Sequence, residues 1–427
     1  FFALSNTILK LVQIKRIKTE AAALATEQME IVRNMPYNSV GAVGGIPSGS
    51  IPQDRTLVRS GTSFTVHADV RFVDDPYDGV LQGSTLSPPQ QDDLFSTDYK
   101  LVKFTISWNT VWGNGSMFFL TNIVPKGIET SASGGVLKVK VFDANGAPVP
   151  QADVDIINPS ESIALNNIKT DNNGIAFFPG APPSVNLYQI TVDKPGFSRS
   201  RTYGIDDPAG NVSPNPIHAS VFVGTTTEIS FPIDQLSQLT VATEKIDPVL
   251  GVIPFGIDFA VHGDKTVGTN ASSDPIYKYS NSLATDSGGG TAVISSLEWD
   301  TYTIFFDQSA NGHNIIANIP PVHPVILSPN DSETISFTFQ SPYRPHTLLG
   351  TVLDKNNNPL VGATVQLTDG SSYNESILTG AGGQAFFNTS TGGAYTITIT
   401  SIGYLPITGP VTINGNNEYK TQLSPEI

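Results

Sequence analysis

Six histidines are the first residues to weigh for chemistry: His67, His218, His262, His313, His323 and His346. No two stand at a metal-ligand spacing such as H-x-x-x-H. His67 falls in an alternating segment and reads as a strand histidine. The chain has no cysteine, which removes disulfides, thiolate catalysis and Cys-ligated zinc. Serine is abundant, yet no G-x-S-x-G occurs. Gly288-Gly289-Gly290 precedes a strand-like run, so it lacks the helix N-terminus a phosphate loop needs and reads as a flexible turn. No enzyme is expected. Carboxylates remain. Asp74, Asp75 and Asp78 form the densest cluster, followed by Asp92, Asp93 and Asp98. Calcium takes about six to eight oxygen ligands, and these residues are the candidates for it. Their spacing does not fit an EF-hand loop, so solvated acidic loops are the preferred reading, with no other cofactor expected. Tyr277 and Tyr279, in a segment read as an exposed loop, are candidate ligand contacts, because aromatic rings stack on sugars and pack on proteins. Asn-x-Ser/Thr sequons occur at Asn114, Asn211, Asn270, Asn330, Asn374 and Asn388, and matter only where such sites are glycosylated.

The 427 residues suit two to four domains. Charged residues are 14%, and 38 Gly and 31 Pro are scattered between short apolar runs, a pattern of many strands joined by turns. The net charge of −15 argues against nucleic acid as a partner. Residues 1–35 differ from everything that follows: they contain neither Gly nor Pro. Leu4, Ile8, Leu11, Ile14, Ile17, Ala21, Leu24, Ile31 and Met35 recur at intervals of three and four, with one of seven between Leu24 and Ile31. That spacing predicts one long helix with an apolar stripe, about 50 Å in length, ending at Met35 ahead of Pro36. Tyr37-Asn38-Ser39 and the Gly-rich run Gly41 to Gly49 read as a linker. The helix carries Lys10, Lys15, Arg16, Lys18 and Arg33 against Glu20, Glu27 and Glu30, so it is basic on an acidic body. No run of 18 apolar residues occurs.

The segment Thr19 to Val40, TEAAALATEQMEIVRNMPYNSV, resembles the C-terminal part of the N-terminal helix of type IV pilins and pseudopilins. Small residues followed by A-x-x-Q-M-E-x-x-R and then Pro-Tyr are similar to the larger minor pilins. That family begins with Phe and has Glu at its fifth position within an unbroken apolar run. Here position 5 is Ser, and Asn6, Thr7, Lys10 and Gln13 interrupt the run, so further residues are expected to precede Phe1. Ser63 to Val73 and Tyr99 to Trp108 alternate with period two and read as half-buried strands. Asp98-Tyr99-Lys100, and the acidic connection Asp74 to Asp78, also resemble the globular part of those pilins.

An internal repeat follows. Its first copy runs from Val136 through Asn145-Gly146, Thr170-Asp171 and Tyr188 to Phe197. Its third copy runs from Leu349 through Asn358-Pro359, Thr379 and Tyr395 to Tyr404. A looser middle copy runs from Leu239 through Thr285-Asp286 to Tyr302. Tyr188, Tyr302 and Tyr395 each begin a late strand and read as aromatics at a sandwich edge. The pattern resembles the carboxypeptidase-regulatory-like, transthyretin-like family, which implies antiparallel seven-stranded sandwiches without catalysis. The expected fold is therefore mainly β with one long N-terminal α-helix: a pilin-like α+β module and then tandem antiparallel β-sandwiches. The expected boundaries are a helix over 1–36, a pilin-like β-domain over 37–132, and sandwiches over 133–235, 236–343 and 344–427. The expected role is an extracellular filament subunit that packs its helix with copies of itself and meets other pilins. Its outer domains are expected to contact cell-surface glycans or proteins. The alternative is a helix-anchored cell-surface adhesin or glycan-binding protein that does not polymerise.

Overall fold

The computed structural model describes residues 2–73, 80–81, 92–93, 98–125, 134–321 and 323–426. The chain is mainly β with one long N-terminal helix. It divides into two compact units, Phe1–Pro195 with Arg199–Ile233, and Gly196–Ser198 with Asp234–Ile427.

The first unit begins with α1 (Phe2–Arg33), which stops two residues short of the expected Met35. Asn34 ends it: its backbone and side-chain nitrogens both donate to the carbonyl of Glu30 (3.2 and 2.7 Å). Four strands follow, β1 (Asp54–Arg59), β2 (Thr62–Val73), β3 (Tyr99–Thr110) and β4 (Gly113–Ile123), in an antiparallel sheet in chain order. Alternation puts Phe64, Val66, Ala68, Val70, Val102, Phe104, Ile106 and Trp108 on one face, all buried. The C-terminal half of α1 covers that face with Ile17, Ala21, Leu24, Ala25 and Val32. Ala21 and Ala25 have no side chain beyond Cβ, which lets the helix approach the sheet closely. Each large side chain buried here contributes roughly 1.5–3 kcal/mol.

The Gly-rich run after α1 is a packed loop rather than a linker. Val40, Ala42, Ile46 and Ile51 are buried, and a Cβ on Gly49 would lie 2.4 Å from the nitrogen of Gly41. The glycines are there because two stretches of backbone touch. Lys100 locks this loop: its buried Nζ donates to the carbonyls of Tyr37 (2.9 Å) and Val40 (2.6 Å) and lies 4.4 Å from the Tyr37 ring centroid. Burial pulls its pKa down to about 8.

The same unit holds a sandwich. Its strands are β5 (Gly135–Phe142), β6 (Asp153–Asn158), β7 (Ile163–Lys169), β8 (Ile175–Ala181), β9 (Ser184–Asp193), β10 (Ser200–Arg201) and β11 (Thr226–Pro232). One sheet runs β8-β5-β11 and the other β10-β9-β6-β7. The packed loop joins it at β7, where the Ala164 N–H donates to the Gly44 carbonyl (2.7 Å) and Gln53 Nε2 donates to the Ala164 carbonyl (2.8 Å).

The second unit repeats this topology twice. Its first sandwich has β12 (Ser237–Asp247), β13 (Asp258–Gly263), β14 (Ser280–Ala284), β15 (Thr291–Leu297), β16 (Asp300–Phe305), β17 (Asn314–Ile319), β18 (Val325–Leu327) and β19 (Ser332–Gln340). Its second has β20 (Thr347–Leu353), β21 (Thr364–Thr368), β22 (Asn374–Leu378), β23 (Gln384–Asn388), β24 (Gly393–Thr400), β25 (Ile407–Ile413) and β26 (Asn416–Gln422). In each copy the first strand lies between an antiparallel partner and the parallel last strand: β5 with β11, β12 with β19, β20 with β26. That parallel pair departs from the purely antiparallel expectation. Within this unit Asn318 and Gln384 tie the two sandwiches by a reciprocal, buried amide pair: Asn318 N–H to Gln384 Oε1 (2.8 Å) and Gln384 Nε2 to Asn318 Oδ1 (2.7 Å).

Three devices recur in all three copies. A buried threonine accepts one backbone N–H and donates to a nearby carbonyl. Thr170 does so with Ala152 and Val149 (2.9 and 2.8 Å), Thr285 with Ile257 and Phe255 (2.9 and 3.3 Å), and Thr379 with Ala363 and Leu360. A left-handed glycine abuts the first strand: a Cβ on Gly174, Gly290 or Gly383 would lie 2.3, 2.2 or 2.5 Å from the carbonyl oxygen of Val141, Thr243 or Val352. The Gly288–Gly290 triplet thus ends in a close-packed joint, not a flexible turn. A buried tyrosine donates its hydroxyl to an upstream carbonyl: Tyr188 to Pro182 (2.6 Å), Tyr302 to Glu298 (2.8 Å) and Tyr395 to Thr391 (2.8 Å). These rings belong to the cores rather than to the edges.

Candidate assembly surface

The apolar stripe of α1 divides in two. Ile17, Ala21 and Leu24 are consumed by the helix's own sheet, and Met35 is half-buried against the same core. From Ile8 to Arg16 no side chain of the helix is buried. Ile8, Leu9, Leu11 and Val12 are 52–57% exposed, and Ile14 is half-buried. Successive residues turn by about 100°, so these five side chains spread over roughly two thirds of the circumference. A helix apolar around most of its circumference is normally buried among several neighbours. Ile31 is also exposed, on the flank of the packed half. Leu4 lies where the backbone is helical, but its side chain is outside the described residues. Leu9 and Val12 were not on the three-and-four stripe. The doublets Ile8-Leu9 and Leu11-Val12 are the signal that the apolar surface is wider than one stripe.

Charge follows the same division. Lys10, Lys15 and Arg16 on the free half, and Lys18 just past Ile17, form a basic run without an acid among them. The packed half carries Glu20, Glu27 and Glu30 with Arg33. Arg16 pairs with Glu20 (3.0 Å), Arg59 on β1 pairs with Glu27 (2.9 Å), and Arg33 pairs with Glu30 (2.6 Å). Exposed pairs of this kind contribute at most about 1 kcal/mol each. Among the described residues Lys10, Lys15 and Lys18 make no ion pair. On the packed half, Thr19, Ala23 and Thr26 form an exposed strip of small side chains opposite the sheet. No helix among the described residues is long and apolar enough to cross a membrane.

The other candidates fare differently. Tyr277 stacks on His262 with ring centroids 4.0 Å apart and planes 21° from parallel, and Tyr279 meets Tyr302 edge-on at 5.9 Å. Both are half-buried, so the expectation of exposed loop aromatics is corrected: the rings already pack within their sandwich. Asp74, Asp75 and Asp78 lie outside the described residues, as do the side chains of Asp92 and Asp93. Asp98 is buried. Among the described residues no group of three His, Asp or Glu side chains is placed to hold a metal ion. His67 is a strand residue of β2, with Nδ1 2.9 Å from Asp54 Oδ1. Of the six sequon asparagines, Asn211 is fully buried.

Residues 136–219 and 347–424 match the family model of the carboxypeptidase regulatory-like domain. These segments are the first and third copies of the repeat; the middle copy shares their strand order, threonine, glycine and tyrosine. No curated protein matches the chain. Similar solved structures include the TIE protein of Bacillus anthracis, with 15% identity over 88% of this chain and 74% of that one, at a TM-score of 0.21. A minor pilin of Streptococcus agalactiae is 14% identical over 49% of this chain and 98% of that one (TM-score 0.24). The major pilin subunit of Bacillus cereus is 12% identical over 69% and 100% (TM-score 0.18). Likeness at such scores carries no argument about what the chain does.

Proposed function

We propose that this protein is a structural subunit of an extracellular filament of the type IV pilus kind. One observation carries the reading. A single continuous helix is packed on its own sheet from Ile17 onward, yet presents Ile8, Leu9, Leu11 and Val12 to solvent. In water that arrangement leaves roughly half of each side chain's burial unrealised, about 1–2 kcal/mol apiece. Copies of the same helix, bundled in a filament core, recover it. The resemblance of Thr19 to Val40 to pilin helices supports the same assignment. The three sandwiches are then carried on the outside of the filament, where their loops meet cell-surface glycans or proteins. The filament is built by self-association and needs no cofactor.

Removal of residues 1–16 tests this. The truncated chain keeps every buried residue of the helix–sheet core, so it is expected to fold and to remain a soluble monomer by sedimentation. Filaments formed by the truncated chain would rule out the helix as the assembly element.

A further inference from the structure

If α1 packs on copies of itself, its charges decide how far one copy is shifted along the next. We propose, resting on the filament reading, that the free half of one helix lies on the packed half of a second copy, parallel to it and shifted by roughly 12 residues, about 18 Å at 1.5 Å per residue. Unshifted parallel packing would set Lys15 and Lys18 against their own copies, in a stretch of the helix, residues 8–18, that holds no acid. The shift replaces that repulsion by attraction. Lys15 then meets Glu27 and Lys18 meets Glu30.

Shape agrees with charge. Leu11, Lys15 and Lys18 are spaced by four and three, and so are Ala23, Glu27 and Glu30, so each set lies along one side of the helix. The shift sets Leu11, 57% exposed, against Ala23. Thr19, Ala23 and Thr26 are exposed and small, and make a shallow strip that accepts large side chains from a neighbour. Lys15 and Lys18 have no ion-pair partner among the described residues. Among the described residues Glu27 and Glu30 form ion pairs with exposed partners, Arg59 and Arg33. Redirecting either acid to a neighbour therefore costs little.

The absence of cysteine makes the contact directly testable in the full chain. In one helix Leu11 and Ala23 are about 18 Å apart, far beyond the roughly 7 Å Cα separation that a disulfide spans. A Leu11→Cys/Ala23→Cys variant, assembled and oxidised, is expected to give a covalent ladder of trimers and larger species on denaturing gels. Each single variant, whose cysteines lie about 18 Å apart on adjacent copies, should stay monomeric. Lys15→Glu/Lys18→Glu is expected to lower the polymer yield at least tenfold, and adding Glu27→Lys/Glu30→Lys to restore it. Filaments without a ladder, or no restoration by the second pair of reversals, overturn the shifted packing. Failure of the parent reading looks different, because filaments then survive removal of residues 1–16.

Discussion

Replacing Thr379 by valine should cost the third sandwich about 2 kcal/mol, although the two side chains have nearly the same shape. Thr379 is 3% exposed. Its Oγ1 accepts the N–H of Ala363 at 2.9 Å and donates to the carbonyl of Leu360. Ala363 is itself fully buried, so valine strands its N–H away from water, at a cost of about 1–3 kcal/mol. The lost bond to Leu360 adds about 0.5–1.5 kcal/mol. Burial of the new methyl returns roughly 0.8 kcal/mol. A change of this size in a domain of this length lowers the melting temperature by roughly 10–20 °C. Urea and thermal unfolding of residues 344–427, whose core is self-contained, would measure it. Thr379→Ser keeps the hydroxyl and should lose less than half as much. Thr170→Val and Thr285→Val should behave alike in their own sandwiches. A Thr379→Val domain within 0.5 kcal/mol of the parent, or a serine variant that falls as far, would refute the claim that this hydroxyl joins the strands.

Gly290→Ala should destabilise its sandwich by at least about 2 kcal/mol, because a left-handed residue (φ +64) must carry a Cβ 2.2 Å from the Thr243 oxygen. Gly289→Ala, whose Cβ has the end of the Asp286 side chain as its nearest neighbour at 3.1 Å, should be near neutral in the same melting experiment. Lys100 loses its proton at a lower pH folded than unfolded, about 8 against 10.5. Its burial therefore weighs against the fold below about pH 8, and stability rises between about pH 8 and 10.5 by on the order of 1–3 kcal/mol. Lys100→Met should flatten that rise in urea titrations across the window; an unchanged slope would exclude a buried charge. Gln28 is 1% exposed and its Oε1 has no hydrogen-bond partner among the described residues. Gln28→Leu should therefore stabilise the helix–sheet module by about 1 kcal/mol, read from its urea midpoint.

The helix was legible because three-and-four spacing over residues 1–35 has no β reading, and its end was off by only two residues. Its division at Ile17 was not legible. Which apolar side chains are consumed depends on how far the sheet reaches along the helix, and no local pattern encodes that. The repeat was visible through Thr170, Thr285 and Thr379 and through the three tyrosines, since each serves the same joint. The parallel pairing of first and last strands was not, because alternation says which face a residue takes but not which strand lies beside it. The glycines misled twice. At Gly41 to Gly49 and at Gly290 they serve close backbone approach, and composition alone cannot distinguish that use from flexibility. Tyr277 and Tyr279 misled for a related reason: a segment rich in turn residues looked exposed, while His262 and Tyr302 wait across the fold to receive the rings.

Electron cryomicroscopy of filaments recovered from cells that make this protein tests the central claim most directly. The account predicts a helical assembly in which residues 8–16 of α1 lie in a continuous core of parallel helices, with the sandwiches projecting from it and each helix shifted by about 18 Å along a neighbour. Particles without helical symmetry, or a filament joined through strand edges with Ile8, Leu9, Leu11 and Val12 still facing solvent, would contradict it.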